Sequence, residues 1–437
     1  MPVAIDSGNT AWILAAAALV MLMTPALGFF YAGFTRNKNA LSTIMMSFIV
    51  VGLVGIEWVV IGYSMTFGPD VGGIIGDLSW FGLKDVGLEP GPYGDAIPHE
   101  AFMIFQAMFA IITPALITGA FVERAKFSTF LVFILLWSLL VYNPVAHWVW
   151  GNGGWLAELG ALDFAGGTAI HINAGAAALA AAIMFGRRRG YGKLAMEPHN
   201  VTYIILGTAL LWFGWFGFNA GSAGAANGQA ANAFVVTNTA AAAAALTWMG
   251  LSWALTGKAS AIGAAAGAVA GLVAITPASG FVQPMEAIAI GGGAGVFCYL
   301  AVRLRARSGL DDSLDVVGVH GVGGIWGAFA TGLFAVAAVG GVDGLFHGGA
   351  DQVWRQLVGI GSVGAYSFIA TLIILKVLDL TLGLRVSDDE EQLGLDVTQH
   401  GERAYVFEDG GMAAIPAAPI AAPTPPPAPK PQPAKAE

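Results

Sequence analysis

Long apolar stretches recur along the whole chain, separated by short polar breaks. Runs such as 130–142, 174–185 and 368–375 sit inside stretches of roughly 20 residues, the length that crosses about 30 Å of hydrocarbon as a helix. Reading the apolar runs between polar breaks predicts eleven spans, at about residues 10–34, 40–67, 101–121, 127–149, 164–186, 200–218, 230–255, 259–276, 283–302, 316–339 and 357–378. Soluble core helices do not repeat this length again and again. The pattern predicts an all-α polytopic membrane protein with eleven transmembrane helices.

Composition strengthens that reading. Of 437 residues, 56% are hydrophobic and 11% charged, where a soluble domain averages about 25% charged. That is too little charge to cover a soluble protein of this size. Glycine accounts for 61 residues, about twice the usual share. In lipid, small residues let helix backbones touch, and the runs 240–245 and 290–295 fit that use. The single cysteine, Cys298, lies in an apolar run, which excludes an intrachain disulfide and a thiolate metal cluster. The net charge of −9 adds little, because the tail and the loops carry much of the acid.

The cations fix a direction. Loops after odd-numbered spans hold Arg36, Lys38, Arg124, Lys126, Arg187, Arg188, Arg189, Lys193, Lys258, Arg303, Arg305 and Arg307, whereas loops after even-numbered spans hold only Lys84 and Arg355. The odd loops are expected to be cytoplasmic, with the N-terminus outside, the C-terminus inside and the chain multi-pass in the cell (inner or plasma) membrane. Residues 1–9 carry no positive side chain ahead of the first apolar stretch, unlike a secretory signal peptide. Residues 10–34 are too long for a signal core and are read as the first retained helix.

Past Arg385 the composition changes. Residues 386–407 are charged and polar, and 413–437 are Ala/Pro-rich with three consecutive prolines at 425–427. Such a stretch does not build a packed helix. The expected organisation is a transmembrane domain at 1–385, a cytoplasmic regulatory tail at 386–412 and a disordered extension at 413–437.

Two of the seven histidines, His171 and His320, lie inside spans 5 and 10, each with an aspartate upstream (Asp163 and Asp315) and small residues around it. Spans five apart run in opposite directions. Spans 1–5 and 6–10 are therefore compatible with an inverted repeat, a transporter plan that puts its site near the midplane. His171 lies about seven residues inside its span, roughly 10 Å deep. His320 enters from the other end and lies shallower. Each residue alone reads as a satisfied core histidine. As a pair at related positions they read as part of a pathway, since ionisable groups inside a membrane usually mark one. Metal binding is not expected, because no third ligand stands at the same depth. Burial disfavours the charged imidazole. Two neutral rings can share one hydrogen, and each can offer a donor or an acceptor to a small polar solute.

Further segments narrow the reading. Span 6 ends in Trp212-Phe-Gly-Trp215-Phe-Gly-Phe218-Asn-Ala-Gly-Ser222, span 3 carries Phe105-Gln-Ala-Met-Phe109, and span 4 carries Ala146-His-Trp-Val-Trp150. With 163–175 and 315–324, these resemble the Amt/Mep/Rh ammonium transporter family, in its Amt branch, from about residue 10 to 405. The resemblance implies a homotrimer with one central pore per subunit and no enzymatic activity or cofactor. Phe109, Trp150 and Ser222 correspond to an outer recruitment site for ammonium, and Phe109 and Phe218 to a stacked gate beneath it. His171 and His320 correspond to the pore's twin histidines. Asp163 matches a carboxylate that supports the outer site without direct contact. Trp215 and Thr276 match further pore-associated positions, and Phe105 a supporting one. The segment 394–405 resembles the family's tail motif, which implies coupling between subunits and regulation by the PII class of signalling proteins. Lipid and ammonium or ammonia are the other expected partners, and no nucleic acid is.

Physics makes these choices intelligible. An aromatic face attracts a cation by about 0.5–2 kcal/mol, depending on desolvation, and a hydroxyl replaces part of the water shell. A narrow apolar pore without a fixed anion penalises any bare cation. Ammonium, unlike potassium, can shed a proton. The expected mechanism is deprotonation near the gate and passage of ammonia past the histidines, electrogenic if the proton follows. The alternatives are an ammonium sensor acting through its tail, a neutral gas channel like the Rh branch, and a membrane enzyme. The presence of Trp150 and Ser222 argues against the second, and no nucleophile–base set supports the third. Glu57, inside span 2, is open to three readings: protonated, hydrogen-bonded at a helix contact, or wet at the interface. His147 reads as structural.

Overall fold

The computed structural model describes residues 4–406. The described residues are mostly helical. Its principal helices are α1 (Ser7–Phe34), α2 (Asn37–Phe67), α3 (His99–Ala120), α4 (Phe127–Leu159), α5 (Gly167–Phe185), α6 (Val201–Gly221), α7 (Gly228–Thr256), α8 (Ala261–Ile275), α9 (Pro284–Ser308), α10 (Val317–Phe334) and α11 (Asp351–Thr381). Among the described residues, ten of these are long and apolar enough to cross a membrane. The predicted eighth span is the exception. As α8 it has 15 residues, a rise of about 22 Å. Its helix stops at Ile275 because Pro277 follows at once and cannot continue the ladder. Residues 276–281 form turns instead.

Two other predicted ends shift. The tenth span was expected to reach 339, but α10 ends at Phe334. The amide of Val336 there bonds the carbonyl of Phe281, 2.8 Å away, and a separate short helix follows at Ala337–Gly340. The helix of α4 breaks after Trp150 and resumes at Trp155–Leu159. Between α2 and α3 the chain forms two small antiparallel hairpins, β1 (Asp70–Val71) with β2 (Ile75–Gly76) and β3 (Pro90–Gly91) with β4 (Gly94–Pro98). His147 ties the first to α4, through 2.7 Å to the Thr66 carbonyl and 2.9 Å to Asp70.

The two halves, α1–α5 and α6–α10, meet along their first helices. A Cβ at Gly214 or Gly217 of α6 would come within 2.7 or 2.8 Å of α1 carbonyl oxygens, so glycine is what brings the two backbones together. The same device joins α5 to α10: a Cβ on Gly175 would lie 2.3 Å from the Cα of Gly321. Helix α11 lies outside the repeat and packs along α5 and α10.

Glu57 sits at a helix contact, where its carboxylate accepts the Asn143 side-chain amide of α4 at 2.8 Å. A Cβ on Gly62 would meet that carboxylate at 2.7 Å. At the far end from Trp150, the tail folds as α12 (Asp388–Leu393) and α13 (Leu395–His400). Asp396 accepts the amides of Leu41 and Ser42 at the start of α2, at 3.1 and 2.8 Å, where an anion suits the helix terminus. The predicted extension at 413–437 lies outside the described residues.

Candidate functional site

Each histidine stands on a π-helical turn that opens its helix. The turns run Gly167–Ile172 and Val317–Gly321. Such turns are rare and cluster at functional sites. The first is organised by Asp163. Its carboxylate accepts the amides of Gly166, Gly167, Thr168 and Ala169 at 2.7–3.0 Å, taking up donors that a helix start leaves without intrahelical partners. The second turn has its own carboxylate, Asp312, and not Asp315, the aspartate noted upstream of His320. Asp312 accepts the amide of Val317 at 2.8 Å. Asp315 is instead engaged by Arg305, 2.8 Å away. Asp163 and Asp312 each precede their histidine by eight residues. The sequence carries that repeat of eight, although Asp315 lies nearer to His320.

The side chains form a ladder of rings. From the Trp150 end, centroids are 6.1 Å apart for Trp150 and Phe109 and 4.5 Å for Phe109 and Phe218. They are 6.1 Å apart for Phe218 and His171 and 5.3 Å for His171 and His320. The Phe109 and Phe218 planes are tilted by 45° rather than stacked in parallel. Phe105 contacts Phe109 edge-on at 4.8 Å. Ser222, half-buried, donates its hydroxyl to the Phe218 carbonyl at 2.8 Å, which leaves oxygen lone pairs free. The Trp150 indole donates to the Asp163 carbonyl at 2.9 Å. Asp163 thus holds Trp150 with its backbone and the His171 turn with its side chain.

Below the phenylalanines, the two imidazoles approach with their Nδ1 atoms 3.2 Å apart. Both residues are buried, at 1% and 3% exposure. Trp215 stacks on His171 at 5.5 Å, tilted by 21°, and donates its indole proton to Thr276 at 2.8 Å. The Thr276 hydroxyl in turn bonds the Leu272 carbonyl. Thr276 therefore steadies Trp215 through these bonds. The channel at the histidines is apolar, walled by Met23, Leu27, Ile112, Leu116 and Leu211, with a volume of about 10 Å³. That is room for one water-sized molecule. Past His320 a cavity of about 260 Å³ opens toward the tail end, with Tyr31, Ser252, Ser260 and Asp315 among its lining.

Residues 11–405 match the family model described as the Ammonium Transporter Family. The chain belongs to that family. It is 52% identical to an ammonium transporter of Bacillus subtilis, over 91% of this chain and 98% of that one. It is 50% identical to the ammonium transporter Amt1 of Archaeoglobus fulgidus, over 92% of this chain and all of that one. The crystal structure of Candida albicans Mep2 superposes with a TM-score of 0.84 at 41% identity, covering 88% of each chain. Family membership supports ammonium transport as the function, and members of this family are transporters, not enzymes.

Three groups at the site escaped sequence reading. Asp312 was masked by Asp315. The apolar wall residues carry no chemical signature. Two glutamines of α11, Gln352 and Gln356, lie buried behind Asp163, and only their polarity inside an apolar span could have drawn attention.

Proposed function

We propose that this ammonium transporter recruits ammonium between Trp150, Phe109 and Ser222, strips its proton at the Phe109–Phe218 gate, and passes ammonia along the histidines. The observation that carries this reading is the histidine pair set directly beneath two phenylalanines in an apolar channel of about 10 Å³. A hydrated cation does not fit such a space, and a bare one has no fixed anion among the channel's walls to repay its lost water. Ammonia fits, and finds an imidazole donor or acceptor at each step. The two Nδ1 atoms share one hydrogen, which makes the pair a two-site relay. The proton follows along it, and transport is electrogenic.

On this reading the Trp150 end faces outward and the tail end faces the cytoplasm of the cell membrane, as the cation bias requires. The working unit is a homotrimer with one pore per subunit. Helices α12 and α13, seated on the loops that begin α2 and follow α5, are placed to convey a signal from a PII-class protein to the pore helices. A sensor role has one specific support: a structure titled "Sensor Amt Protein" superposes with a TM-score of 0.84 at 32% identity, over 98% of that chain.

The deciding experiment is current from proteoliposomes on addition of ammonium, methylammonium or potassium. Ammonium-dependent current without potassium current is expected. Ammonium flux without current would overturn the proton relay. Potassium current would overturn the selectivity mechanism.

A further inference from the structure

We infer that Gln356, on the helix outside the two repeats, is the positioning residue that sets the recruitment site against the histidine pair. The inference rests on the reading of Trp150 and His171 given above.

Gln352 and Gln356 stand one turn apart on α11, on the same face, and each is 2% exposed. Burying a carboxamide is costly unless its polar atoms are paired. A carboxamide has two donors and two acceptor lone pairs, and Gln356 uses all four. Its Nε2 donates to the Leu162 carbonyl at 2.8 Å and to the Ala328 carbonyl at 3.0 Å. Its Oε1 accepts the Leu162 amide at 2.6 Å and the Gln352 side chain at 3.2 Å. Gln352 also donates to the Gly160 carbonyl at 3.0 Å.

Residues 161–163 are not helical, so their peptide groups lack helical partners and must find others. At Leu162 a single side chain takes both the N–H and the C=O, as a neighbouring strand would. The next residue is Asp163, whose carbonyl holds Trp150 and whose carboxylate holds the turn bearing His171. Ala328 lies on α10, eight residues past His320. One amide therefore grips the lead-in to His171 and the helix of His320 at once. A residue needed only for packing here would be apolar, since leucine or methionine fills the same space without any polar atom to satisfy.

The test uses the full-length protein in proteoliposomes. Gln356→Met is expected to raise the half-saturating ammonium concentration several-fold and to loosen potassium exclusion. Thr371→Val, on the same helix, removes a bond from the Trp137 indole of 3.0 Å. It is expected to lower thermal stability while leaving both transport readouts unchanged. Unchanged half-saturation and unchanged potassium exclusion in Gln356→Met would overturn the assignment. So would an equal shift of both readouts in Thr371→Val. If Gln356→Met does not fold, Gln356→Asn keeps the amide but withdraws it, and the same outcomes apply. Trp150→Leu run in parallel separates the two layers. If it leaves half-saturation unchanged, the recruitment reading fails and the inference with it. If it raises half-saturation while Gln356→Met does not, only the positioning role of Gln356 fails.

Discussion

The Nδ1 atoms of His171 and His320 lie 3.2 Å apart, on π-helical turns from opposite halves of the molecule. At that distance one Nδ1 carries the hydrogen and the other accepts it, so the two neutral rings hold opposite tautomers. Replacing both with alanine removes the proposed relay and leaves an apolar gap. The expected outcome of His171→Ala with His320→Ala is loss of selective ammonium flux or a potassium leak. Ammonium uptake and potassium efflux from proteoliposomes measure both, and a double variant that matches the parent in each would sink the assignment.

The Phe218 ring packs against Phe109 and also covers His171, the contact the proposed gate rests on. Phe218→Ala is expected to admit potassium, which the proposed mechanism has the parent exclude. Losing a buried phenylalanine costs about 3–5 kcal/mol of stability. Thermal unfolding in detergent gives the second readout. A variant that loses stability but keeps full exclusion would show that Phe218 packs without gating.

On the proposed reading, Ser222 supplies one neutral acceptor to a cation that two aromatic faces also hold. Such a hydrogen bond contributes about 0.5–1.5 kcal/mol net. Ser222→Ala should therefore raise half-saturation by roughly two- to tenfold, with maximal flux preserved. A fall in maximal flux at constant half-saturation would place Ser222 in the conduction step instead.

The Glu57–Asn143 bond joins α2 to α4 in an apolar setting. Removing one partner strands the other at a cost of about 1–3 kcal/mol or more, whereas removing both is nearly neutral. Asn143→Leu should lower the unfolding temperature, and adding Glu57→Leu should restore much of it. Strictly additive losses across the two substitutions would refute a direct pairing.

At the tail end, Glu123 accepts from Arg36 and Arg188, and Arg188 grips Asp311 through two nitrogens. Burial alone would raise both carboxyls. The guanidinium charges of Arg188 and Arg36 outweigh it at Glu123, and the hydrogen bonds and charge of Arg188 outweigh it at Asp311, so both lie below the ordinary range. A lowered folded value means stability that is present above the unfolded value, near about 4, and lost as pH falls through the folded one. The unfolding temperature should therefore be insensitive to these groups above about pH 5 and fall on further acidification. Glu123→Gln should weaken that acid dependence and destabilise the neutral protein, since Arg188 stays buried with half its partners gone. An unchanged acid slope would show that the network is not what titrates.

Much of this molecule was legible from its residues in order. The run of apolar segments is a local property, because the cost of placing each side chain in hydrocarbon depends mainly on that side chain. The positions of ten long apolar helices follow from it, and so does their class. The segments around His171, His320, Phe218 and Trp150 were equally plain, because each is a contiguous string. Three-dimensional structure decided the rest. It put two Nδ1 atoms in contact, chose Asp312 over Asp315, shortened α8, and drew Gln356 to a peptide 194 residues away. Each of these depends on how closely two backbones approach, and here glycines at Gly175 and Gly321 set that approach. A pattern of apolar and polar positions names which residues are buried. Which atoms meet inside is decided only when every helix has packed against the others.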